Sequence, residues 1–142
     1  MEFQDLFIAT GIGSFPHQNE KEVFRLIFQN FPEIPFWPQL PKRSFLEGMV
    51  VQYSQGFPSL RWNEKEQRVW VDPSDGFDKE IEKFYRYLEG GELKPFEITN
   101  DFAKGLRILK DLTSRDHRKE IKYIKGQISG PITFGLALTD LE

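Results

Sequence analysis

The sequence contains no cysteine, has little excess charge and includes no long apolar run. Without cysteine, the chain forms no disulfide and offers no thiolate to a metal ion. A net charge of −3 gives no basic field for neutralising phosphates, so a nucleic-acid partner is not expected. No segment has the roughly 20 apolar residues that cross a bilayer, and no basic region followed by an apolar one opens the sequence. These observations predict a cytoplasmic protein that binds neither nucleic acid nor membrane.

Two glycine-marked turns are the most informative features that the sequence does contain. One runs Thr10-Gly11-Ile12-Gly13-Ser14-Phe15-Pro16, and the other runs Gly130-Pro131-Ile132-Thr133. Each follows a short apolar segment typical of a strand and precedes a segment with helical spacing. In parallel α/β proteins ligands bind at such junctions, because the turn backbone approaches the ligand closely and the helix start offers free N–H groups.

Local patterns predict the remaining elements. Asn19 and Ser44 are each followed three residues later by a glutamate, which is the capping-box pattern of a helix start. Apolar residues alternate on both sides of a charged tip, which predicts a hairpin over residues 60–71. Helices are predicted over residues 19–31, 44–56, 77–88, 102–112 and 132–138, and strands before the first turn and within 34–41 and 123–128.

This order of elements predicts a parallel sheet. Strands separated by helices are typical of right-handed βαβ units. Three parallel strands alone leave unpaired edges, so the chain is expected either to associate with itself or to belong to a longer protein. The short segment after the second turn favours the longer protein.

The first turn is similar to the strand-end motif of cobalamin-independent methionine synthase, through the string Ile12-Gly13-Ser14-Phe15-Pro16. The second resembles the Gly-Pro-x-Thr turn after the third strand of that enzyme, which recurs more loosely in the superfamily of uroporphyrinogen decarboxylase and the corrinoid methyltransferases. These families are TIM barrels of about 250 residues or more. The resemblance implies an α/β fold that comprises the first three or so βα units of a TIM barrel, with the hairpin inserted near the catalytic rim. Residues 1–142 are then the N-terminal fragment of one barrel domain.

In this family, a methyl group is transferred from a folate to the sulfur of homocysteine. A zinc ion binds that sulfur as the thiolate. The resemblance places Ile12, Gly13 and Ser14 in the substrate pocket. Glycine permits close backbone approach, and a serine hydroxyl can donate to a carboxylate. The family's zinc ligands lie on later strands, so zinc is expected only in a full-length parent, and this chain is expected to hold no metal ligand and to be inactive alone. Gln39 is a neutral candidate where the family has a glutamate, so another thiol, a corrinoid protein or an unrelated acid stays open in place of homocysteine.

Two alternatives from other classes stay open. One is a decarboxylase-like relative that acts on a tetrapyrrole, with Trp37, Trp62 and Trp70 lining its pocket, although such residues more often belong to a core. The other is a non-enzymatic α/β domain that self-associates through open sheet edges. His17 just past the first turn could act as a general acid, but a helix-entry histidine more often bonds its own loop. His117 lies in a charged segment, so the two histidines do not make a zinc site.

Overall fold

The computed structural model describes residues 8–115 and 120–140. Within them, local sequence signals produce four α-helices: α1 (Glu20–Asn30), α2 (Phe77–Glu89), α3 (Lys104–Arg115) and α4 (Pro131–Ala137). The predicted cap of α1 is confirmed, because the Asn19 side chain accepts a hydrogen bond from the backbone N–H of Lys21 at 3.0 Å. No helix of the described ranges has the length and apolar character needed to cross a membrane.

The predicted hairpin is also confirmed. Strands β1 (Leu60–Asn63) and β2 (Arg68–Val71) pair in antiparallel fashion, with Leu60 opposite Val71. The two-residue strand β3 (Thr139–Asp140) lies parallel to β2, so the order in this open sheet is β1-β2-β3. The hairpin that was expected to be an insertion is therefore the main sheet of the described chain.

The expected partial TIM barrel is wrong. Over the described residues, the fold is a mixed α/β arrangement of four helices with one small open sheet built on an antiparallel hairpin. The three segments predicted as parallel barrel strands lie side by side, and we call them the first segment (residues 8–14), the middle segment (residues 34–41) and the third segment (residues 122–128). Among the described residues they form only isolated parallel bridges, Ser14 with Gln39 and Phe36 with Lys125. Prolines 35, 38 and 41 explain the difference, because each lacks the N–H that a middle strand donates to its ladder.

The helix predicted over residues 44–56 is wrong as well. The structure has two single 3-10 turns there, Phe45–Glu47 and Val51–Tyr53. Ser44 does cap the first turn, since its hydroxyl accepts from the N–H of Leu46 at 3.3 Å. Gly48 then adopts extended backbone angles, which ends the turn before a second helical repeat can form.

Two apolar clusters hold these elements. The first joins α1 to the middle parallel segment and consists of Val23, Ile27, Phe36 and Leu40, with Phe15 and Phe31 packed against it. The second joins the hairpin to the segment that precedes α3 and contains Val51, Val69 and Phe102. A buried glutamine is the sequence neighbour of one residue in each cluster: Gln39 precedes Leu40 of the first cluster, and Gln52 follows Val51 of the second. The boundary between the two clusters is therefore polar.

Candidate functional site

Three parallel segments bring their carboxyl ends to one edge of the molecule. The N–H of Phe15 donates to the carbonyl of Gln39 at 2.9 Å, and the N–H of Lys125 donates to the carbonyl of Pro35 at 3.0 Å. Parallel neighbours end on the same side. The first turn, residues 39–40 and residues 127–129 therefore share this edge, which we call the turn edge.

The turn itself is open to an incoming molecule. Gly13 has a φ of 116°, in the left-handed region that favours glycine, and no heavy atom lies within 4 Å of the position that a Cβ would occupy. Ser14 is exposed, and Ile12 is 74% exposed. The triplet that the resemblance singled out is thus on the surface, held in place through the Ser14–Gln39 bridge.

A chain of neutral side chains lies behind the turn. Gln39 Nε2 donates to Gln52 Oε1 at 2.9 Å, and Gln52 Nε2 donates to the carbonyl of Phe102 at 2.9 Å. Both glutamines are buried, so these bonds satisfy amide groups that would otherwise be costly to bury. Gln39 is committed to this internal chain, which makes it a support for the turn rather than a free partner for a substrate.

Tyr53 joins the chain to the third segment. Its hydroxyl donates to the carbonyl of Gln127 at 2.6 Å. Burial raises the pKa of Tyr53 to about 12, opposed in part by a hydrogen bond with the Gln39 side chain. The phenol therefore stays protonated and remains a donor at neutral pH.

We expect alkaline solution to destabilise the wild type more than Tyr53→Phe. The pKa of Tyr53 is higher in the folded state than the ordinary value of about 10, so the unfolded chain loses this proton first. The stabilisation is complete below about pH 10 and is lost as the pH rises toward about 12. Urea unfolding across this range measures the effect, with the exposed Tyr85 replaced by phenylalanine as the control. An equal loss of stability in the wild type and Tyr53→Phe would contradict the assignment.

Lys125 supplies a positive charge beside the turn. Its Nζ donates to the carbonyl of Gly11 at 3.0 Å, which ties the third segment to the first. An ammonium group has three donors, so two remain for other groups. Among the described residues, no carboxylate lies within ion-pair distance of this ammonium group.

A buried ion pair stabilises the chain just after the middle segment. The Glu47 carboxylate is fully buried and pairs with the guanidinium of Arg43. Its other oxygen accepts from the N–H of Leu40 at 3.1 Å. Both oxygens of this carboxylate therefore have partners within the chain, and these contacts hold the loop that carries Gln39 and Leu40 in place.

The described part of the chain does not fit the zinc ion that the resemblance implies for the parent. It contains no group of three or more His, Asp or Glu side chains that could hold a metal ion, and the whole sequence has no cysteine. His17 lies with its ring centroid 6.1 Å from that of Phe15, and its Nδ1 is buried with no hydrogen-bond partner among the described residues. His117 lies outside the described residues.

The three tryptophans have different surroundings in the described chain. Trp62 packs edge-on against Phe102, and Trp70 lies under the guanidinium of Arg68 on the hairpin. Trp37 belongs to the middle parallel segment. A groove of about 670 Å³ lies between α1 and α3, and no tryptophan lines it.

Sequence reasoning missed Gln52, Tyr53, Lys125 and Gln127. Tyr53 falls within the helix predicted over residues 44–56, which does not form, so the sequence pattern does not indicate its contact at the turn edge. The third segment did contain a usable signal: Tyr123, Lys125 and Gln127 alternate with apolar residues, which places three polar side chains on one face of a strand.

Comparison with known proteins adds no relative. No family model matches the sequence, and neither the curated proteins nor the solved structures give a match.

Proposed function

We propose that this chain supplies substrate-binding turns of a methyltransferase similar to cobalamin-independent methionine synthase, and that it holds the amino-acid end of a thiol such as homocysteine. The observation that carries the proposal is the open left-handed turn at Gly13, next to the exposed hydroxyl of Ser14. An exposed hydroxyl is a donor that suits a carboxylate. The similarity to the Ile-Gly-Ser-Phe-Pro motif is what suggests an amino-acid thiol as the class of substrate.

The charges around the turn favour the same ligand. Lys125 places an ammonium group against Gly11, two residues before Gly13. The chain behind the turn is neutral, because it consists of two glutamines and a phenol that keeps its proton. A carboxylate that approaches the turn therefore meets one cation and no fixed negative charge from these groups.

Binding and reaction are separate in this proposal. A free thiol has a pKa near 8.5 and is mostly protonated at neutral pH, so methyl transfer needs a group that removes or displaces the proton. The described residues offer no metal-binding set for that purpose. We therefore expect the chain to bind an amino-acid thiol and to show no methyl transfer by itself.

Replacing Ser14 with alanine is expected to weaken the binding of L-homocysteine by about tenfold. A hydrogen bond to a charged group contributes about 1.5–3 kcal/mol, and 1.4 kcal/mol corresponds to a factor of ten. Isothermal titration calorimetry measures the dissociation constants. Ser74→Ala is the matched control, because Ser74 is also an exposed serine and lies on the loop before α2.

Two results would count against this function. The first is equal affinity of the wild type and Ser14→Ala for homocysteine. The second is binding of a porphyrin, followed by absorbance, with no heat from homocysteine, which would favour the decarboxylase-like alternative.

A further inference from the structure

The third parallel segment, residues 122–128, has one open edge. The N–H of Lys125 and the carbonyl of Gln127 both bond to groups of the described chain. No backbone hydrogen bond joins Ile124, Gly126 or Ile128 to another described residue. In a strand, backbone groups of alternate residues point to opposite edges. Residues 124, 126 and 128 therefore present their donors and acceptors outward.

The same edge is apolar. Ile124 and Ile128 are 52% and 79% exposed, and they share one face of the segment because they are four residues apart. Helix α4 follows directly in the chain and carries Ile132 and Leu136, which are 77% and 80% exposed. These two residues are four apart on a helix and therefore lie on one side of it. We call this set of four side chains the apolar edge.

The exposed apolar area is as large as the apolar share of a standard interface. The four side chains together expose on the order of 500 Å², near the upper end for the largest apolar patch of a monomer. A standard interface buries about 800 Å² on each partner, of which somewhat more than half is apolar. The apolar edge meets this requirement without any contribution from the turn edge.

We propose that the apolar edge binds a second copy of this chain, and that the two third segments pair in antiparallel fashion about a two-fold axis at Gly126. This register uses the outward residues 124, 126 and 128 in both copies. It places Ile124 opposite Ile128 of the other copy, on both sides of the axis, where their side chains pack across the strands. With a two-fold axis at residue 124 or at residue 128, Ile124 and Ile128 no longer face each other. The axis at Gly126 is therefore the one that pairs both isoleucines.

The charges are compatible with this register. Lys125 faces Gln127 of the other copy, and Lys122 faces Gly130, so no two lysines stand opposite each other. Gly126 leaves open space at the axis, because no heavy atom of its own chain lies within 4 Å of the position of a Cβ. The pairing closes a two-fold dimer and covers an edge that would otherwise promote open-ended aggregation.

Cysteine cross-linking tests the register directly, because the chain has no cysteine of its own. Residues that face each other in a hydrogen-bonded antiparallel pair have Cα atoms about 5.5 Å apart, which suits a disulfide. Under mild oxidation, Gly126→Cys is expected to form a linked dimer at least tenfold faster than Leu93→Cys. Leu93 is the matched control, because it is 63% exposed and lies outside the apolar edge.

Light scattering of the unmodified chain gives the independent measurement. A dimer is expected for the wild type and for Leu93→Lys, and a monomer for Ile128→Lys, with circular dichroism confirming that each variant is folded. A wild-type monomer at high micromolar concentration would overturn the proposal. So would equal cross-linking rates at residues 126 and 93, or faster cross-linking in Ile124→Cys than in Gly126→Cys. None of these results bears on homocysteine binding at Ser14.

Discussion

Replacing Arg43 with alanine lowers the free energy of unfolding by about 3 kcal/mol, which is the largest effect expected of a single charge change here. The Glu47 carboxylate is fully buried, and Arg43 is its ion-pair partner. Without the guanidinium, the carboxylate keeps the N–H of Leu40 as a partner but stays buried as an uncompensated charge. Breaking a buried pair in this way costs about 3–5 kcal/mol, and the partial exposure of Arg43 favours the lower end.

Urea unfolding measures the loss in the free energy of unfolding for Arg43→Ala, and Arg86→Ala is the matched control. Arg86 also pairs with a glutamate four residues away, Glu82, but both side chains are more than 70% exposed. An exposed pair of this kind contributes about 0.3–0.5 kcal/mol. Equal losses of stability in the two variants would show that the Glu47 carboxylate is not held as described.

Replacing Gly105 with alanine destabilises the protein by about 2 kcal/mol, although alanine is the better helix former. Gly105 lies in α3, where an added Cβ would stand 2.3 Å from the carbonyl oxygen of Pro38. The backbone of Pro38 cannot move aside as a flexible side chain can, because it belongs to the middle segment. Helix α3 must therefore shift away from that segment to make room for the Cβ. The displacement strains the segment that carries Gln39 and the bridge to Ser14.

Gly135→Ala is the matched control for this prediction. Gly135 also lies in a helix, α4, but no heavy atom is within 4 Å of the position of its Cβ. Alanine there is expected to stabilise the protein by up to about 1 kcal/mol, because it restricts the unfolded chain and favours the helix. The two substitutions should therefore shift the urea midpoint in opposite directions. A stabilising effect of Gly105→Ala would contradict the close packing of α3 on Pro38.

The sequence predicts those elements whose signals are local. Helix α1 carries its own cap at Asn19, and the hairpin carries its own alternation and charged tip, so both are confirmed. Helix α2 begins at Phe77 and ends before Gly90, as its spacing predicts. The helix at 44–56 fails because a cap fixes only a first turn, while Gly48 decides the direction of the next residues.

The sequence does not predict how segments that are far apart in the chain pair with each other. Alternation of strands and helices predicts parallel neighbours, and the bridges at Ser14 and at Lys125 do run in parallel. It does not predict how many ladder bonds form, and the prolines of the middle segment limit them to isolated bridges. Tyr53 and Gln127 are 74 residues apart, so no local pattern could join them at the turn edge.

The central claim is that the Ile12–Ser14 turn and its neighbours form a binding site for an amino-acid thiol. The most direct test is a nuclear magnetic resonance titration of the ¹⁵N-labelled chain with L-homocysteine. We predict that the largest shifts of amide resonances fall on residues 11–15 and on Gln39, and that Ser14→Ala reduces them. Shifts confined to α2 or to the hairpin, or no shift at millimolar ligand, would contradict the account.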